Sequence, residues 1–161
     1  MPASRIRSDI TSDKLPPHSH LWTHHSDGDF LDCYSCTSNL PPQEAVQLAL
    51  TMPGWAEALL KLRNVLVKPL GLKTEVDDRD AGDAIFPITY ESDSELLMGT
   101  NDRHLDFRIA MMQHEGRVYM STWVHPHNLL GRAYLQVVMP FHVLICRSSI
   151  KRVAAEGLAT A

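Results

Sequence analysis

Between positions 102 and 108 an acid, an imidazole, a second acid and a guanidinium recur at every other residue: Asp102, His104, Asp106 and Arg108. A β-strand turns alternate residues to one face, so these four share a side and Leu105, Phe107 and Ile109 share the other. In such a ladder Asp102 or Asp106 can orient His104 as a general acid/base, while Arg108 or Arg132 stabilises developing negative charge. The same spacing also suits a solvated sheet face laced with cross-strand ion pairs, the commoner use of the pattern. Catalysis requires the ladder to line an enclosed site, whereas apolar side chains usually line interiors.

A second group lies at His127-Asn128-Leu129-Leu130-Gly131-Arg132. Asn128 is a good helix N-cap, and the free N–H groups of a helix start attract anions. Gly131 permits close approach of a ligand or backbone, and Arg132 can clamp a carboxylate. The plain alternative is an ordinary cap with Arg132 paired to Asp106 or another carboxylate. Trp55, Phe107, Trp123 and Tyr134 are candidates to line a cavity, although aromatic residues at such spacing more often build the core.

Other reactive side chains point to structure. His18, His20, His24 and His25, with Asp27 and Asp29, precede the first strand but lack the spacing of a zinc module, so no metal site is expected. Cys33 and Cys36 sit on a strand, where residues three apart face opposite ways, and redox pairs instead open helices. His142 lies 15 residues beyond His127, about 22 Å along an ideal helix. The two cannot share a metal, and His142 reads as a hydrogen-bonded packing residue.

The elements that position these groups follow from hydrophobic period. Residues 1–20 are polar and read as a loose arm, with residues 21–157 as one domain. Phe30 to Cys36 alternates as a first strand. Pro41-Pro42 opens a helix that runs to Met52. Trp55, Leu59, Leu62 and Leu66 form the stripe of a second helix, ended by Pro69 and Gly71. After a charged loop the period shortens to two. Strands are expected over Ile85–Glu91, Glu95–Thr100, His104–His114 and Arg117–His125, as consecutive hairpins. Asn128 then caps a long helix with the stripe Leu130, Tyr134, Val137, Val138, Phe141, Leu144 and Ile145, kinked at Pro140. The fold class is therefore α+β: an antiparallel sheet whose apolar face is covered by the long C-terminal helix.

Bulk properties narrow the function classes. The chain has 161 residues, 44% of them hydrophobic, enough for a core without disulfide or metal. A net charge of −4 argues against nucleic acid. The N-terminal stretch lacks the apolar segment of a signal peptide, and three cysteines fit a reducing cytoplasm. Leu129 to Cys146 has spanning length but holds Arg132, Gln136, Pro140 and His142, so it reads as a core helix and not as a membrane span.

The runs Gly99 to Arg108, His127 to Tyr134, Pro140-Phe141-His142, Trp55 to Leu72 and Asp29-Phe30-x-Asp32 resemble a bacterial family known as domain of unknown function 2867. The resemblance spans about residues 21–153. It implies the helix-grip superfamily of START-like and birch-pollen-allergen-like proteins, with a cavity between sheet and helix for apolar small molecules. It implies no activity and no cofactor.

Two functions are carried forward. One is a binding module for a small apolar or amphipathic molecule, its carboxylate near Arg108 or Arg132. The other is a cofactor-free hydrolase, isomerase or dehydratase using His104 with Asp102 or Asp106. They differ in which face of the 102–108 strand meets the long helix. A third reading, a partner-binding domain, predicts an exposed apolar patch.

Overall fold

The computed structural model describes residues 10–50, 87–101 and 104–159. It contains β1 (Thr11–Ser12), β2 (Phe30–Thr37), α1 (Pro42–Leu50), β3 (Ile88–Glu91), β4 (Glu95–Asn101), β5 (Leu105–His114), β6 (Arg117–Pro126) and α2 (Leu129–Ala159). The strands form one antiparallel sheet in the order β1-β2-β6-β5-β4-β3. The strands expected from residue 85 to 125 are present within a residue or two where described. Glu115 and Gly116 join β5 to β6 with both φ angles positive, 49° and 77°, a two-residue turn whose twist matches the strands it links. The expected second short helix, with Trp55, lies outside the described residues.

Register assigns the two sheet faces. Cys36 pairs with Val118, Tyr34 with Met120, and Met120 with Met111. These residues form one core with Ala45 and Ala49 of α1 and Cys146, Ile150, Val153 and Ala154 of α2. Arg152 ties the two helices: its guanidinium donates to the carbonyls of Leu48 at 3.0 Å and Ala49 at 2.6 Å, the unsatisfied groups at the end of α1.

The far face carries a smaller core, Leu15, Leu21, Leu97, Ala110 and Trp123. Residues 10–20, expected to be a loose arm, instead pack against the sheet, with Leu15 in this core. Thr11 pairs with Ser35, Leu15 is buried, and the Ser19 hydroxyl and His20 N–H both donate to the buried Glu95 carboxylate. A short 3₁₀ turn at His20–Thr23 follows, with Leu21 driven into the sheet. The N-terminal imidazoles disperse into packing contacts: His20 stacks on Tyr90 at 3.8 Å, and His24 lies 5.2 Å from the Trp123 ring.

Helix α2 is only partly the core helix expected. By length and composition Leu129–Glu156 could cross a membrane, yet its last third sits in the core beside the sheet. Along its first half the outward residues Leu129, Val137, Phe141 and Leu144 are exposed, Val137 at 61%.

Candidate functional site

On β2, Phe30, Asp32, Tyr34 and Cys36 alternate onto the side that meets α2. Register adds Val124 and Thr122 of β6 and Phe107 and Ile109 of β5 to that side. The helix is fastened over them at two places. At its start Gly131 lies against the His104 carbonyl, where a Cβ would collide. From Cys146 onward it enters the core. Between these points no residue from 132 to 145 is buried. Below them, Phe30, Phe107 and Ile109 are only half-buried.

A polar pair bridges helix and sheet in this interval. His142 Nε2 and Asp32 Oδ2 are 2.8 Å apart, and Asp32 Oδ1 accepts the Thr122 N–H at 3.2 Å. The Phe30 ring meets the imidazole edge-on at 5.9 Å. Burial alone would lower the His142 pKa, but the hydrogen bonds and charges of Asp32 and Cys146 raise it to about 10. At neutral pH the pair is therefore an imidazolium bound to a carboxylate. Tyr134 and Val138 precede His142 at four-residue steps, so they share its helix face, and both are half-buried. The arrangement is an apolar wall on each side and a charged pair that can hydrogen-bond a hydroxyl or carbonyl.

Cys146 does not turn this pair into a nucleophilic relay. Its sulfur lies 3.6 Å from Nδ1 and 3.5 Å from Nε2 of His142, in line with neither nitrogen, and Nε2 is already committed to Asp32. A relay needs the nucleophile on one nitrogen and the carboxylate on the other.

The ladder read from the sequence faces the other way. Asp106 pairs with His125 and Arg108 with Trp123 in register, on the side opposite Phe107 and Ile109 and away from α2. This contradicts an acid–base ladder lining the helix side, and it removes Arg108 and Trp123 from any cavity there. Asp106 does not orient His104 either; it bonds His127 Nε2 at 2.8 Å. His104 meets Asn128 instead, Nδ1 to Nδ2 at 3.0 Å. Arg132 is exposed and not paired with Asp106. Asn128 caps α2 as expected, its Oδ1 accepting the Gly131 N–H at 2.9 Å. Asp102 and Trp55 fall outside the described residues.

On that far face Asp29 holds the side chains together. Its carboxylate accepts the Ser26 N–H at 2.9 Å, the Trp123 indole N–H at 2.9 Å, and pairs with His125 Nδ1. Burial pushes the Asp29 pKa up, but the bonds from His125, Ser26 and Trp123 outweigh it and leave the carboxyl below its usual value.

The sequence reading took His142 for a hydrogen-bonded packing residue, which its bond to Asp32 fits, but passed over Asp32 as its partner, His125, and the pairing role of Asp29. A signal existed: Asp32 interrupts an otherwise apolar strand face and His142 an apolar helix, and buried polar groups require partners. Among the described residues no group of three or more His, Cys, Asp or Glu side chains is placed to hold a metal ion.

The family described as "Protein of unknown function (DUF2867)" matches residues 24–149, and the chain belongs to it. No curated protein and no solved structure matches the chain.

Proposed function

We propose that this member of family 2867 binds a small apolar or amphipathic molecule between the sheet and the first half of α2, in a helix-grip arrangement. The observation that carries the proposal is the two-point attachment of α2. A helix closing a solid core buries a continuous stripe, whereas α2 buries Gly131, then nothing until Cys146. The interval is lined by Phe30, Phe107, Ile109, Tyr134 and Val138, all half-buried. Ligand sites are mostly apolar with a few placed polar groups, and Asp32–His142 supplies these.

The polar end of the ligand is assigned to the His142 imidazolium, since Arg108 points away from this side. A hydroxyl, carbonyl or carboxylate fits there. The alternative, with His104 as general acid/base, loses support because Asp106 is engaged by His127. Three free, buried cysteines, Cys33, Cys36 and Cys146, support a reducing compartment such as the cytoplasm.

Native mass spectrometry of freshly purified protein tests the proposal. A mass adduct of a few hundred daltons, lost on denaturation and absent from a Val138→Trp variant that still folds, is the expected result. An adduct equally abundant in Val138→Trp would place the ligand elsewhere.

A further inference from the structure

The far face of the sheet holds a buried charge that no described carboxylate pairs with. Arg108 is 8% exposed, and its Nε atom is buried without a hydrogen-bond partner. The guanidinium donates to the carbonyl of Phe107 at 2.7 Å, a neutral acceptor. Among the described residues no carboxylate forms an ion pair with it. Two acids of this face are already engaged, Asp29 by His125 and Asp106 by His127. A guanidinium offers five N–H donors in a fixed fork, and burying one without a counter-charge is strongly unfavourable.

Few described side chains flank the fork in register. Opposite Arg108 on β4 stands Gly99, which has no side chain to cover it. On β6 its neighbour is Trp123, over which the half-buried His24 ring sits. Burial first, and then the Arg108 charge, lowers the His24 pKa, so the imidazole feels the guanidinium directly. Beyond Trp123 the rings of His125 and His127 continue the row, their centroids 5.3 Å apart. With Nδ1 of His125 held by Asp29, Nε2 is turned away from that carboxylate, and the side chain is 42% exposed.

We propose that Arg108 is the anchor of a second ligand site, on the sheet face away from α2, which takes the carboxylate of a small monoanionic molecule between Gly99, Trp123 and His24. One cation with no partner carboxylate among the described residues calls for one negative charge. The planar fork matches a carboxylate through two parallel N–H···O bonds. The site is separate from the helix-side interval and stands or falls independently of it.

The test uses the full chain with acetate and benzoate as probes and phosphate at matched ionic strength as the control. At roughly 100 mM, far above a dissociation constant of about 1 mM, the carboxylates are expected to raise the melting temperature and to move the His24 NMR titration midpoint upward. Arg108→Met is expected to melt no lower than wild type in anion-free buffer, because it removes an unbalanced buried charge, and to lose the carboxylate response. Should that variant not fold, Arg108→Lys keeps the charge without the fork and is expected to weaken the response roughly tenfold. The proposal is overturned if the wild type does not respond to carboxylates, if phosphate acts as strongly, or if a folded Arg108→Met melts lower without anion or responds as wild type does.

Discussion

Asp32 on the sheet and His142 on α2 meet across the interval where no helix residue is buried, Nε2 to Oδ2 at 2.8 Å. The pair is a polar link between the first half of the helix and the strands. It fixes the height at which the helix stands over Phe30 and Ile109, and it sets a pH dependence. The His142 pKa rises on folding from 6.5 to about 10. A raised pKa means the folded state holds the proton more tightly, so the contribution is complete below pH 6.5 and fades as pH climbs toward 10. Wild type is expected to lose stability relative to His142→Gln over that window, at no more than about 1.4 kcal/mol per pH unit. Urea unfolding at pH 6 and pH 9 measures it.

Removing the carboxylate should act on the same group. In Asp32→Asn the imidazole loses the hydrogen bond that does most to raise its pKa, while burial still lowers it. The His142 midpoint, followed by NMR, is expected to fall, with a stability loss of about 3–5 kcal/mol at pH 6. An unchanged midpoint would mean that the link is not made in solution.

Gly131 tests the other attachment point. Alanine in place of a helical glycine ordinarily stabilises by about 1 kcal/mol. Here the added Cβ would run into the His104 carbonyl, and overpacking against fixed backbone costs about 1–3 kcal/mol. The clash should win, so Gly131→Ala is expected to lower the melting temperature. A rise would show that the start of α2 is not seated on the loop at His104.

Asp29 offers a prediction on the far face. Its side chain is 3% exposed and holds Trp123 and His125 at once. The lowered pKa gives stability that is present above the usual carboxyl range and lost as pH falls through the folded value. Asp29→Asn keeps one acceptor oxygen but sets an amide donor against an N–H, so a loss of about 2 kcal/mol is expected at pH 7 and a smaller one at pH 3. Denaturant curves of both proteins at the two pH values decide it.

Much of the sheet was legible because hydrophobic period and turn chemistry agree there: the hairpin at Glu115-Gly116 and the alternation of Leu105, Phe107 and Ile109 both survive in the structure. The Asn128 cap was legible for the same local reason. What the pattern could not resolve was a sheet packed on both sides. With Ala110 and Trp123 buried on one face and Met111 and Met120 on the other, alternation no longer marks inside and outside, so it could not show that Phe107 and Trp123, grouped as candidate cavity residues, face opposite sides. The segment carrying Leu15 and Leu21 has too few apolar residues and no period, so its role as the far-face cover depends on tertiary contacts such as Ser19 to Glu95. Partner choice is likewise non-local: whether Asp106 serves His104 or His127 depends on strand stagger and not on spacing.

The central claim, a ligand held under the first half of α2, is tested most directly by methyl NMR of the selectively labelled protein titrated with decanol, an uncharged probe that does not compete for Arg108. Saturable shifts at the Val138 and Ile109 methyls, with Val137 and Leu144 on the outer face of the same helix unmoved, are the predicted result. Shifts at Val137 and Leu144 alone, or none at saturation, would contradict it.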